Sequence, residues 1–185
     1  MTTNSNGSPH VTPLGFVRDA GEIVLRPFVP SRTLDNLMRD RHAVMNLIDD
    51  VSIIAGCLTG RRDWPVRRVK DPYGWRLYDC LTHLELKVTE HQGDAESPSF
   101  RCAITREEMH GAFGGFNRAQ AAVVEGSILV SRLDWIAPEK VAAEMAYLNI
   151  AIKKTAGARE RVAWQWLVEA IEKHPRHTSN LGGGE

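Results

Sequence analysis

The sequence holds little of what usually announces a function. Its three cysteines, Cys57, Cys80 and Cys102, are spread through 185 residues at separations of 23 and 22. Such spacing excludes a zinc knuckle, a redox pair or a haem attachment, and an odd count makes a poor disulfide framework. No apolar run approaches the roughly 18 residues that span a bilayer. The opening MTTNSNGSPH carries neither the basic nor the apolar region of a secretory signal, so a soluble, cytoplasmic chain is expected. Charge of one sign is also lacking. Lys+Arg 23 balance Asp+Glu 23, which argues against a nucleic-acid binder, whose phosphate contacts need a basic excess. There is no His-Glu-x-x-His, no Gly-x-Ser-x-Gly, no phosphate loop and no Gly-x-Gly-x-x-Gly, so the stock catalytic motifs are missing. His174 and His177 lie three apart without a third ligand, and no metal site is expected.

What remains is an ordinary folded composition, 43% hydrophobic and 25% charged, in a chain long enough to bury a core without staples. The first two thirds carry period-2 patterns. A turn cluster at Asn4 to Pro9 precedes an extended stretch from His10 to Val17. Asp19-Ala20-Gly21 reads as a hairpin turn into Glu22 to Arg26. Leu84 to Thr89 alternates strictly and Phe100 to Thr105 nearly so, as strands with one wet face do in an antiparallel sheet or barrel. Two short helices interrupt them. One is capped by Ser31 or Thr33 and runs through Leu34, Leu37 and Met38; the other spans Val51 to Leu58 and closes at Gly60. The apolar run Ala43 to Ile48 lies between these helices and predicts a buried strand with Asn46 inside it. From Asn117 the period becomes 3.6. Small residues in Arg118 to Leu133 permit close packing, and Pro138 opens a helix striped by Val141, Met145, Leu148 and Ile152. A third helix after Gly157 presents Ala163, Trp166, Leu167, Ala170 and Ile171. The expected division is a β-rich domain over 1–116, a helical unit over 117–174 and a disordered tail over 175–185.

Three stretches carry candidate chemistry. Arg26 to Leu37 ends a strand on an arginine, turns through two prolines and opens a helix with two hydroxyls. Helix N-termini attract phosphate through free N–H groups and the positive end of the dipole. Arg26 or Arg32 with Ser31, Thr33 and Asn36 would complete an anion cradle; an ordinary capped helix with a solvated arginine is the plainer alternative. Asn46 either satisfies neighbouring backbone or contacts a ligand, because a buried amide without partners is costly. Arg61 to Lys70 gathers five cations around Trp64, as a solvated loop or as a hold for a polyanion. Arg118, Glu125 and Arg132 recur every seven residues as one polar stripe.

Thr12-Pro13-Leu14-Gly15-Phe16, Leu25-Arg26-Pro27-Phe28 with Ser31-Arg32-Thr33 and Asn36-Leu37, Val44 to Asp50, and Phe116-Asn117-Arg118-Ala119 with its helix stand in a familiar order. Their spacing resembles the domain-of-unknown-function family 447 of methanogens and some bacteria, a member of the FMN-binding split-barrel, flavin-reductase-like proteins. The resemblance covers about residues 3 to 173, most specifically at Phe-Asn-Arg-Ala. It implies an α+β fold, an antiparallel split β-barrel followed by a C-terminal three-helix unit, dimerising and binding FMN near the dimer interface. The flavin phosphate would fall to Arg26, Ser31, Thr33 and Asn36. Thr12, Pro13 and Gly15 would lie along the isoalloxazine, and Asn46 would touch the ring or ribityl chain. Asn117 and Arg118 would form a second set of contacts from the same or the other subunit. A flavin-dependent oxidoreductase follows, with NAD(P)H as donor, a small and anionic substrate, and a link to tetrahydromethanopterin-dependent one-carbon metabolism. A non-catalytic flavin, deazaflavin or pterin carrier, or a dimeric partner without cofactor, are the alternatives. Family members begin with an extra strand ahead of the turn that here is Asn4 to Pro9. Most of it is missing, which leaves the barrel short of one edge or its start upstream.

Overall fold

The computed structural model describes residues 1–70, 72–94 and 96–177. Its contacts divide the chain into two compact units, and neither is contiguous. One comprises Met1–Ile48 and Asp63–Phe113; the other comprises Asp49–Arg62 and the described residues from Gly114 onward. A single cut after residue 116 therefore does not describe the molecule, because fourteen residues from the middle of the chain (49 to 62) join the second unit.

The first unit is built on a five-stranded antiparallel sheet. Its strands, in chain order, are β3 (Phe16–Asp19), β4 (Glu22–Leu25), β5 (His42–Leu47), β8 (Thr82–Gln92) and β9 (Ser99–Met109), after the short β1 (Thr2–Thr3) and β2 (Pro9–His10). The spatial order is β3-β4-β9-β8-β5. Two flanking ribbons, β1 with β2 and β6 (Val66–Arg68) with β7 (Trp75–Leu77), complete the split barrel. β3 and β4 meet through Ala20 and Gly21, both with positive φ (49° and 86°), as a two-residue hairpin in the sense of the strand twist requires. The extended stretch expected from His10 to Val17 is two short strands with a loop between them. Register shifts at Glu85/Leu86 and Val88/Glu90 bend the long β8–β9 pair, as bulges do where a sheet curls.

At the outer edge of β5, Met1 brackets Val44: its amino group donates to the Val44 carbonyl at 2.6 Å and the Val44 N–H donates back to Met1 at 2.9 Å. The short opening segment thus still meets the edge at one residue. The helix α1 (Arg32–Asp40) lays Leu37 on the sheet. Ile23, Leu25, Leu84, Leu86, Val88, Phe100 and Cys102 make the core with it.

β8 departs from the alternating expectation. Thr82, His83, Leu84, Glu85 and Leu86 are all buried, and exposure begins only at Lys87. The first half of this strand is central in the sheet and covered on both faces, so period 2 in the sequence does not translate into one wet face.

The second unit holds α2 (Ser52–Leu58), α3 (Arg118–Val130), α4 (Pro138–Thr155) and α5 (Ala158–Lys173). Val51 and Ala55 share a core with Ala119, Ala122, Val123, Ile152, Ala163, Trp164 and Leu167. The expected three-helix unit therefore contains a fourth helix contributed from the middle of the chain. Pro138 stands at the start of α4, as its fixed φ favours. On α5 the buried tryptophan is Trp164, while Trp166 is half-buried beneath the Arg61 guanidinium, 3.9 Å from its ring centre. Of the expected tail, Pro175 to His177 form a turn with His177 buried, and 178–185 lie outside the described residues. No helix among the described residues is long and apolar enough to cross a membrane.

Candidate functional site

The start of α1 is fixed by local chemistry. Ser31 adopts extended backbone (φ −154°, ψ 148°), and its Oγ accepts the Leu34 N–H at 3.2 Å, a side-chain cap for one of the helix's unpaired first-turn donors. Of the two hydroxyls proposed for the cap, Ser31 takes it; Thr33 is buried within the first turn. Arg26, just past β4, and Arg32, the first helical residue, are exposed. Neither has a carboxylate partner among the described residues. Two free guanidiniums, first-turn N–H groups and the Ser31 hydroxyl therefore lie along one short stretch, with Asp35 as the opposing charge in that turn. That donor set suits a phosphate monoester.

Asn36 makes its hydrogen bonds with other partners. Its Nδ2 donates to Thr2 Oγ1 at 2.9 Å and to Asn4 Oδ1 at 3.4 Å, and its Oδ1 accepts from Arg39 Nη1 at 3.1 Å. Arg39 in turn donates to the Thr3 carbonyl and pairs with Asp40, both at 2.6 Å. An open polar cavity of about 460 Å³ is lined by Asn4, Ser5, Asn6, Ser8, Arg32, Asp35, Asn36 and Arg39. Arg32 thus borders both the helix start and this cavity, whereas Asn36 ties the opening turn to α1.

The other candidates fall in several places. Thr12 and Pro13 are half-buried in the loop after β2, with the Thr12 hydroxyl 3.4 Å from the Pro13 carbonyl. Gly15 is exposed, and a Cβ there would meet nothing within 4 Å. The Asn46 amide is committed to backbone: Oδ1 accepts the Leu77 N–H at 2.8 Å and Nδ2 donates to the Val44 carbonyl at 3.3 Å. It holds β7 to β5, the backbone-satisfying alternative of the two. Asn117 lies in the second unit and caps α3, accepting the Ala119 N–H at 2.7 Å and donating to the Thr155 carbonyl at 3.2 Å. Arg118 beside it is exposed, as are Glu125 and Arg132 of the same stripe.

Two groups of functional side chains escape the sequence reading. On β8 and just beyond β9, a chain runs from the buried Glu85 to the surface. Glu85 Oε1 lies 3.7 Å from His83 Nε2, His83 Nδ1 lies 2.8 Å from His110 Nε2, and His110 Nδ1 lies 4.0 Å from Glu108 Oε1. Burial holds both imidazoles below their ordinary titration range, and the Arg76 charge adds to this at each. The sole signal in sequence was His83-x-Glu85, two titratable residues on one side of a strand. The second group is the pair Arg67 and Arg76, of which the sequence singled out Arg67 within the Arg61 to Lys70 cluster but not Arg76; it is taken up below. The cysteines offer no nucleophile: all three are buried, and burial with the nearby Glu22 charge pushes the Cys102 thiol up to about 11. Among the described residues no cluster of three or more His, Cys, Asp or Glu could hold a metal.

Two family models match, "Protein of unknown function (DUF447) N-terminal domain" over residues 1–111 and "Protein of unknown function (DUF447)" over residues 117–169. The chain belongs to the DUF447 family. Its fold is shared with the FMN-bound protein MM1853 of Methanosarcina mazei, itself a DUF447 protein, at a TM-score of 0.76 and 17% identity, over 86% of this chain and 87% of that one. Weaker likenesses, both at a TM-score of 0.49, are to the 2-nitrobenzoate 2-nitroreductase NbaA of Pseudomonas fluorescens (15% identity, 59% of this chain and 61% of that one) and the flavoredoxin of Methanosarcina acetivorans (14%, 59% and 66%). No curated protein matches the sequence. The DUF447 match joins the barrel and the helices in one family and leaves the gap between models at 112–116, where β9 has ended and α3 has not begun.

Proposed function

We propose that this DUF447 chain is an FMN-binding flavoprotein that works as an oxidoreductase on a small anionic substrate. The observation that carries the reading is the start of α1: Arg32 is exposed without a carboxylate partner beside the Ser31 cap, and Arg26, exposed and likewise without one, precedes that cap by five residues in the chain, in a fold shared with an FMN-bound protein. Arg26, Arg32 and the first-turn N–H groups of α1 would hold the flavin phosphate. Thr12 to Gly15 would supply the backbone along the ring, where the open space over Gly15 leaves room for a flat ligand. Asn36 and Asn46 stay in supporting roles, because their amides are already committed to the protein. The bound flavin would supply the electron-accepting chemistry; the protein orients it and tunes its potential. This fits a chain whose thiols are buried and which lacks a nucleophile motif. NAD(P)H is the proposed donor.

Purified protein should be yellow, absorb near about 450 nm and bleach on addition of NAD(P)H. Arg26→Ala and Arg32→Ala should each weaken FMN binding by about ten- to a hundredfold, and more when combined, since charge-assisted bonds contribute about 1.5–3 kcal/mol apiece and 1.4 kcal/mol is tenfold. Colourless protein that FMN cannot reconstitute would remove the flavin reading. Yellow protein that no nicotinamide reduces would leave a carrier in place of the oxidoreductase.

A further inference from the structure

The ribbon formed by β6 and β7 carries an arrangement that its own stability does not call for. Arg67 and Arg76 are direct cross-strand partners, so their side chains leave the same face. Like charges directly opposite one another destabilise a strand pair. Neither arginine is relieved by an acid: among the described residues, no ion pair includes Arg67, Arg68 or Arg76. Two carboxylates stand near. Glu108 is paired with Arg106 at 2.6 Å. Asp79, which follows Tyr78 in the chain, acts with Arg76 on Cys80 and forms no ion pair with either arginine among the described residues.

The two guanidiniums are nonetheless held in place. Arg67 lies over the Tyr78 ring, 4.2 Å from its centre, on the face it shares with Arg76. Arg76 Nη1 donates to the carbonyls of Leu77 and Tyr78 at 2.8 and 2.9 Å and lies 3.6 Å from Cys80 Sγ. Its remaining N–H groups have no partner among the described residues. Their joint field reaches His110, which burial, Arg76, His83 and Arg67 all push below its ordinary range while Glu108 alone opposes them. Two propped, unneutralised forks on one face match a dianionic oxygen group, which guanidinium recognises in bidentate fashion.

We propose that the β6–β7 ribbon is an anion site in which Arg67 and Arg76 together grip the phosphate or diphosphate group of a small molecule, beside Tyr78. Its role as the place where the anionic substrate is held rests on the flavin reading; the site itself does not.

The test uses the full chain and inorganic pyrophosphate. Pyrophosphate should bind saturably by calorimetry, and the His110 Cε1–H titration should move to higher pH as the bound anion offsets the guanidinium field. Arg67→Gln with Arg76→Gln should weaken binding at least tenfold and abolish the His110 response. Arg67→Lys, which keeps the charge and loses the fork, should give an intermediate loss. Sodium chloride at matched ionic strength producing the same response overturns the proposal, as does undiminished binding in the double glutamine variant. Pyrophosphate binding lost instead in Arg26→Ala, Arg32→Ala overturns it too, since the anion would then sit at α1. Flavin content is read by visible absorbance on every sample. Flavin lost from the α1 variant with pyrophosphate binding intact supports the ribbon site, and colourless protein that still binds pyrophosphate sinks the flavin reading alone. Flavin lost from the ribbon variant overturns the proposal, because the pair would be the cofactor's own.

Discussion

His83 and His110 form a contacting imidazole pair in the barrel unit. Their rings stack with centroids 5.0 Å apart and planes 5° from parallel, and the 2.8 Å contact between them has room for one proton. Burial lowers both imidazoles from their ordinary value near 6.5. The unfolded chain therefore takes up protons, as pH falls below about 6.5, that the fold refuses, and stability rises with pH through that window. Urea midpoints should fall between pH 7 and pH 5.5, and His83→Gln should flatten the slope. An unchanged slope in that variant would place the titrating group elsewhere. This pair also shows what residue-level reading leaves out. Ser31 and the Ala20-Gly21 turn were legible because a cap and a hairpin are set by neighbours in sequence. Glu85 was assigned to a wet face, and His83 to none, because alternation tells which residues share a side, not what packs against it.

At the scale of elements, α3 and α5 meet where the sequence offered small residues. A Cβ on Gly126 would stand 3.1 Å from both Leu167 Cδ1 and Trp164 Cζ3, so the absent side chain sets the approach of the two helices. Gly126→Val should destabilise the helical unit by about 1–3 kcal/mol through overpacking, read as a lower thermal midpoint. A midpoint equal to the parent would mean the helices separate at little cost. Here the sequence was informative on α3 and less so on α5, where Trp166 was expected on the apolar face and Trp164 was not named. Spacing alone places both near the core stripe; Trp164 is buried, and Trp166 is half-buried with the Arg61 guanidinium over its ring. The Arg61 to Lys70 cluster likewise divides: Arg61 and Arg62 turn to the helical unit, and Arg67 and Arg68 form the ribbon.

For the whole molecule, exposed apolar surface points to self-association. β3 lies at the sheet edge with every residue exposed. Phe16 and Val17 on it, with Phe28 and Val29 after β4, expose 43%, 50%, 72% and 44% of their surfaces, and an exposed apolar edge strand is a template for pairing with another chain. A homodimer covering this edge is the expected state, and light scattering should return twice the chain mass of 20.7 kDa. Phe28→Asp should shift that value towards the monomer, and a monomeric parent protein would refute the assignment. The split-barrel class and the helical C-terminal part were legible from period and resemblance. The membership of α2 was not, because its partners lie more than sixty residues further along the chain.

That membership bears on how the protein is made. During synthesis the barrel unit has all its strands once Phe113 has emerged. α2, translated long before, has no companion until α3 and α5 follow. Val51, Ala55 and Cys57 must therefore wait uncovered on a tethered segment while the ribosome completes the rest. The chain's order of assembly is the reverse of its order of translation at that one helix, and a nascent chain halted near residue 113 would present that apolar segment to whatever binds unfinished proteins.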